Sequence, residues 1–200
     1  MGMPRESSLL HRLTSNPRVY DVIQFLTGGP LAARAMRRWL AAERGLVIDV
    51  GGGTGRLKPL LPAGTNHVCV DLDPLKLSAY AMKFADARPV YGDALHLPLR
   101  SGVAPLVALI AVSHHLTDAQ LETALREAAR VQAPGGQLFF LDALLIPERW
   151  ASRVLWRHDQ GSHPRNASGL VAALQKHFRI VERFEYTLLH RYLVCRCTAL

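Results

Sequence analysis

Cysteine is scarce in this chain, with three in 200 residues. Cys69, Cys195 and Cys197 all stand among apolar neighbours. A zinc site needs a C-x-x-C pair with a second pair or histidines at matching spacing, and none is present, so core thiols and no metal are expected. No run approaches the roughly 18 uninterrupted apolar residues of a membrane span. The start, MGMPRESSLLHRL, lacks the apolar stretch and small-residue cleavage site of a secretory signal. A soluble, cytoplasmic protein is the expectation. Repeats, low-complexity tracts and a linker long enough to divide domains are also lacking. With 49% of the chain apolar, one domain over residues 1–200 is expected.

Lysine is rare as well, since twenty of the 24 basic residues are arginine. The net charge of +8 is unevenly placed. Residues 1–45 hold seven arginines against three acids, residues 46–147 eight bases against nine acids, and residues 148–200 nine bases against four acids. The basic surface therefore belongs to the flanks, which by itself is weak support for nucleic-acid binding.

What is present is alternation. GLVIDV (45–50), HVCVDL (67–72), PLVALIAV (105–112) and GQLFFLDAL (136–144) are short apolar runs separated by segments of helical spacing. That order predicts a parallel sheet. Thr117 with Gln120 three residues on forms a capping box, and Leu121, Leu125, Ala128 and Ala129 give the helix one apolar face before APGG. Pro134-Gly135-Gly136 is expected to turn that helix back into the next strand. A last helix opens near Ser168, and FRIVERFEYT (178–187) with RYLVCRC (191–197) predicts a closing antiparallel pair. Two helices, NPRVYDVIQFLTGG and PLAARAMRRWLAAERG, are expected before the first strand.

The chemistry centres on VIDVGGGTGR, residues 47–56, with four glycines in five positions. Such a run is not expected to be there for packing, and a ligand approaching the backbone is expected instead. A strand, a glycine turn and a helix open a nucleotide-binding fold, whose ligands lie beyond the carboxyl ends of the strands. A dinucleotide fingerprint from Gly51 and Gly53 would need a third glycine where Arg56 stands, and a phosphate-binding P-loop would need Gly-Lys followed by Ser or Thr. Both fail. Asp49, Gly51, Gly53 and Gly55 do satisfy Asp-x-Gly-x-Gly-x-Gly.

This stretch resembles motif I of the class I S-adenosylmethionine (SAM)-dependent methyltransferases. Three further motifs follow in that family's order: Asp71 about 20 residues on, GDALHLPL (92–99) and EAARVQAPGG (127–136). SHHL (113–116) is similar to the family's end of strand four, and VYDVIQ near the start resembles its type 11, small-molecule branch, which includes quinone-biosynthesis enzymes. One departure is Ala104-Pro105 where the family has an aromatic-Asp pair.

The resemblance implies an α/β fold, a Rossmann-like, mostly parallel seven-stranded sheet with helices on both faces and a C-terminal antiparallel strand pair. It implies SAM as cofactor, held by Asp49 near the methionine ammonium, by the turn glycines, by Asp71 on the ribose diol with Leu72 beside it, by Asp93 and Ala94 at the adenine, and by Ser113. Asp73 is left out as the cap of the next helix. On this reading residues 1–45 are N-terminal helices, 46–142 the SAM-binding core, 143–166 an acceptor-side insertion, and 167–200 the last helix and strand pair.

Methyl transfer needs an acceptor held in line and, where the acceptor carries a proton, a base. His115 is the first candidate and His114 the second, because imidazole titrates near neutrality. The insertion, with Trp150, Trp156, His158, Asp159, His163 and Arg165, is expected with Tyr20 to form an acceptor lid. If Arg34, Arg37, Arg38, Arg149, Arg153, Arg157 and Arg165 border its mouth, the acceptor carries an anionic group. SHHL in place of Asn-Pro-Pro-Tyr argues against amino groups of adenine or glutamine, and no cysteine stands where C5-cytosine chemistry needs one. A small molecule methylated at oxygen or carbon is expected. RNA or protein methylation, and SAM binding without catalysis, remain the alternatives.

Overall fold

In the computed structural model, which describes residues 36, 37, 39, 40, 45–148, 150, 152, 153, 156, 163–187 and 190–200, the apolar runs become strands. They are β1 (Leu46–Val50), β2 (Asn66–Asp71), β3 (Pro89–Tyr91), β4 (Ala104–Ile110), β5 (Gln132–Leu144), β6 (Phe178–Thr187) and β7 (Arg191–Ala199). Among the described residues, α1 (Pro74–Lys83), α2 (Asp118–Val131) and α3 (Ala167–Gln175) lie between them, and residues 150, 152, 153 and 156 are helical as well. The strand order is β3-β2-β1-β4-β5-β7-β6. The first five strands are parallel, and β7 runs antiparallel to both β5 and β6. The mostly parallel seven-stranded sheet with its closing antiparallel pair is as expected. β3 is the strand that the hydrophobic runs did not announce, because it is three residues long and holds no buried side chain.

Both sheet faces are covered, which is why the central strands are apolar throughout and not alternating. On one face Leu121, Leu125 and Ala128 of α2 and Leu170 and Leu174 of α3 pack on Ile48, Val107, Leu109 and Phe140. On the other, Trp39, Leu40 and Trp156 pack on Val47, Leu106, Phe139 and Tyr192. The helical starts follow local chemistry. Thr117 accepts from the Gln120 amide while the Gln120 side chain accepts from the Thr117 amide, a complete capping box that stabilises α2 by about 1 kcal/mol. Asp73 caps α1, with Pro74 opening it, and Asn166 caps α3.

Two local expectations change. β5 begins directly after α2, so Pro134-Gly135-Gly136 lies inside the strand as a bulge and does not precede it. Ala104 pairs with Gln132, but Leu106 pairs with Gln137. A Cβ on Gly136 would stand 2.8 Å from the Ala133 carbonyl and 2.9 Å from that of Ala104, so the bulge closes only on glycine. Pro105, which has no N–H to donate, sits opposite the bulge where the ladder is already interrupted. β4 also ends earlier than its apolar run, because Ala111 turns left-handed with φ 55°.

Beyond β1 the chain steps one way to β2 and β3, then returns to the other side for β4 and β5. The carboxyl ends of β1 and β4 are thus a topological switch point, where such sheets open a crevice.

Candidate functional site

The glycine turn follows β1 at this crevice. Gly51, Gly53 and Gly55 have φ of 68°, 55° and 75°, values that a side chain resists. Gly51 and Gly52 both donate to the Val70 carbonyl, tying the turn to β2. Much of the glycine requirement comes from the protein itself, contrary to the expectation from sequence. A Cβ on Gly51 would meet Val112 at 2.5 Å, one on Gly52 the Asp49 carboxylate at 2.6 Å, and one on Gly55 the Tyr80 ring at 2.1 Å. Packing against the protein's own atoms demands these residues.

Asp71 closes β2 beside the turn. Its Oδ2 accepts from the Gly53 amide at 2.8 Å and its Oδ1 from the Asp73 amide at 2.8 Å. Each oxygen thereby keeps lone-pair capacity for a further donor, and the carboxylate is partly exposed. Leu72 beside it is 54% exposed, an apolar surface next to an acid. Asp93 and Ala94 follow β3 in a tight turn, where Asp93 Oδ1 accepts from the Leu95 amide at 2.9 Å. That turn is braced from α2. Glu127 accepts from the Leu97 amide, while Arg130 donates to the Leu97 and Leu99 carbonyls and to Glu127. The Glu and Arg of EAARV therefore clamp the loop carrying Asp93.

The second cluster lies beyond β4. After Ala111, the one non-glycine residue with positive φ among those described, the chain folds into a short 3-10 turn, Ser113–His115. A left-handed alanine costs about 1 kcal/mol, strain of a kind that gathers at functional sites. The turn is organised by Asp142 of β5, which is fully buried. One oxygen accepts from the Ser113 amide at 2.7 Å and its hydroxyl at 2.5 Å; the other accepts from His114 Nδ1 at 2.6 Å and the Ala143 amide at 2.7 Å. Burial works to raise the Asp142 carboxyl. The charge of His114 and the hydrogen bonds from His114, Ser113 and Ala143 outweigh burial and hold it below the ordinary carboxylate range.

Ser113, grouped with the cofactor residues from sequence, thus directs its donors at Asp142. His114 is buried and His115 exposed, with the two rings 4.2 Å apart. Trp156 lies edge-on to His114 at 5.5 Å, and His190 and Tyr192 continue the cluster. Nothing in the spacing of the chain pairs residue 142 with 114. The available signal was a lone acid inside the apolar run GQLFFLDAL.

Arg165, expected at the acceptor mouth, lines the cleft between α2 and α3 and is engaged there by the protein itself. It donates to the Ser113, Leu116 and His163 carbonyls and pairs with Asp118, which fixes the SHHL turn. His163 adds an amide bond to the His114 carbonyl. Arg37 is exposed, and Arg153 donates to the Pro147 carbonyl at 2.6 Å. Tyr20, Arg34, Arg38, Arg149, Arg157, His158 and Asp159 lie outside the described residues, as do residues 1–35 of the expected N-terminal helices. The cleft of about 490 Å³ between α2 and α3 carries none of the candidate cofactor or histidine residues. No described helix is long and apolar enough to cross a membrane.

A strand and a glycine turn with the acid at the end of β2, beside a switch point, open a class I, Rossmann-like methyltransferase fold, although the helix expected after the turn is reduced to a 3-10 turn, Lys58–Leu60. A family model described as a methyltransferase domain matches residues 48–140. Residues 48–140 thus match the type 11 branch of the class I SAM-dependent methyltransferases, a likeness that implies SAM as cofactor. It is 31% identical over 156 residues to the ubiquinone/menaquinone biosynthesis C-methyltransferase of Cereibacter sphaeroides, a match covering 72% of this chain and 60% of that protein. The protein of the same name from Roseobacter denitrificans is 36% identical over 123 residues, covering 56% of this chain and 48% of that one. The chain thus spans 60% or less of the length of these curated relatives. Among solved structures, the N-methyltransferase NodS of Bradyrhizobium japonicum, in complex with S-adenosylhomocysteine, superposes with a TM-score of 0.75 at 18% identity, covering 95% of this chain and 96% of that one. Likeness at that identity speaks to the fold.

The residues present fit this cofactor. A carboxylate with capacity for two further donors, an exposed leucine beside it and a turn of left-handed glycines are the donor set and shape that a ribose, a base and an amino-acid tail require.

Proposed function

We propose that the protein transfers the methyl group of SAM to a small-molecule acceptor at carbon or oxygen, leaving S-adenosylhomocysteine. The observation that carries this reading is the Asp142–His114 pair beyond β4, beside the crevice that Asp49, Asp71 and Asp93 border. When bound, the cofactor supplies a methyl group on a sulfonium, a leaving group good enough that the protein mainly holds the acceptor in line.

The chain's own contribution is a proton acceptor of fixed orientation. Asp142 engages Nδ1 of His114, so Nε2 is the nitrogen for a proton from an acceptor hydroxyl or an activated ring carbon. The buried carboxylate also stabilises the imidazolium formed in that step. His114 is therefore proposed as the base in preference to the exposed His115, which lies stacked on it. The C-methylation that names the curated relatives favours a planar, aromatic acceptor. The anionic group expected on the acceptor loses Arg165 as a partner, because that guanidinium is committed to the SHHL turn.

The test is a turnover assay for S-adenosylhomocysteine with SAM and a panel of hydroquinones and phenols. Release that depends on one of these acceptors is expected. Cofactor binding without turnover would favour a SAM-binding protein without catalysis, and turnover on bulk RNA or protein alone would favour the macromolecular alternative.

A further inference from the structure

Beneath the glycine turn lies a buried polar chain that the proposed reaction leaves without a part. His67 of β2, its side chain fully buried, sits between Asp49 of β1 and Tyr80 of α1. Its Nε2 is 3.2 Å from Asp49 Oδ2, and its Nδ1 is 2.8 Å from the Tyr80 hydroxyl. Tyr80 is itself fully buried.

The hydrogens of this chain have a direction. The Arg88 amide donates to the Tyr80 hydroxyl at 3.5 Å, so the hydroxyl is an acceptor there. Its own proton has two outlets, His67 Nδ1 at 2.8 Å and the His67 carbonyl at 3.3 Å. The shorter contact makes Nδ1 the acceptor, which leaves the ring proton on Nε2 to donate to Asp49. Burial, together with the charge of Asp49, pushes the Tyr80 phenol up to about 12, so the hydroxyl keeps the proton it donates. Every bond in the chain points toward Asp49 and fixes the orientation of its carboxylate.

The same groups fill the spaces that glycine leaves. The Tyr80 ring occupies the position of a Gly55 Cβ, and the Asp49 carboxylate with Cys69 Sγ occupies that of Gly52. Asp49 is 2% exposed, so its rotamer is set from within the protein and from the side facing away from the crevice.

We propose that His67 and Tyr80 are positioning residues for the cofactor, holding the Asp49 carboxylate in one orientation for the ammonium of the amino-acid tail. This rests on the reading that Asp49 serves that ammonium, directly or through water. It predicts an effect confined to ligands that possess the tail. S-adenosylhomocysteine has it; 5′-methylthioadenosine shares the adenosine and lacks it.

Calorimetry with both ligands tests the proposal. His67→Phe should weaken S-adenosylhomocysteine by about tenfold or more, the loss of one hydrogen bond to a charged group, and leave methylthioadenosine within about twofold. His67→Gln, whose amide nitrogen reaches the place of Nε2, should restore most of the affinity. Tyr80→Phe keeps the ring against Gly55 and removes only the hydroxyl; it should weaken S-adenosylhomocysteine several-fold without touching methylthioadenosine, and remains informative if His67→Phe fails to fold. Equal weakening of both ligands would show a merely structural role and overturn the proposal, as would unchanged S-adenosylhomocysteine binding in both variants. A wild-type protein that binds neither ligand would overturn the cofactor assignment itself.

Discussion

The two halves of the crevice are built by opposite means. On the β1–β3 side, the acids proposed for the cofactor are held by backbone amides: Asp71 by that of Gly53, 18 positions away, and that of Asp73, and Asp93 by that of Leu95. On the β4–β7 side the groups are held by side chains far away in the chain: His114 and Ser113 by Asp142, and the SHHL turn by Arg165. The first arrangement leaves carboxylate lone pairs for a ligand. The second uses a buried carboxylate to orient an imidazole. Backbone amides fix the first half, whereas the second depends on which side chains the sheet brings together.

Deleting the centre of the second half should have the largest effect. Asp142→Ala leaves His114 and Ser113 without their buried partner, and chemical denaturation should show a loss of about 3 to 5 kcal/mol. The same carboxylate gives a pH signature. Its folded pKa is depressed, so its stabilisation is present above the unfolded value of about 3.9 and is lost as pH falls through the lower folded value. Stability measured from pH 5 to pH 2 should therefore fall more steeply in the wild type than in Asp142→Asn.

Next in size is the histidine. His114→Ala should lower methyl transfer by about a hundredfold while SAM affinity holds, and His115→Ala should change the rate far less. Equal rates for His114→Ala and wild type would remove the base from this half.

On the cofactor side, Asp71→Ala should weaken SAM by about 1.5 to 3 kcal/mol in calorimetry, with the rate at saturating SAM little changed. Gly55→Ala asks whether the turn belongs to the ligand or to the protein. Because its Cβ would overlap the Tyr80 ring, the ligand-free protein should lose about 1 to 3 kcal/mol of stability. Undiminished stability with weakened SAM binding would return the glycines to the ligand.

The smallest expected effect concerns the basic flanks. Acceptor affinity should weaken only several-fold between 50 and 200 mM salt, against about a thousandfold for an RNA held through six phosphates. A steep slope would move the acceptor half toward nucleic acid.

The sequence by itself determined the parallel order of strands, the caps at Asp73 and Thr117, the glycine turn with its acids at 49, 71 and 93, and the closing strand pair. These depend on periodicity and on contacts within a few residues, which a linear reading can see. Its blind spots follow from the same physics. β3 is too short to carry a period, and the bulge at Pro134–Gly136 depends on carbonyls of β4 across the sheet. The pairing of His114 with Asp142, the commitment of Arg165 to the SHHL turn and the chain from Tyr80 through His67 to Asp49 join residues 13 to 52 positions apart. Only the folded sheet decides them, because hydrogen bonds between buried side chains depend on which strands lie side by side, and spacing along the chain does not record that.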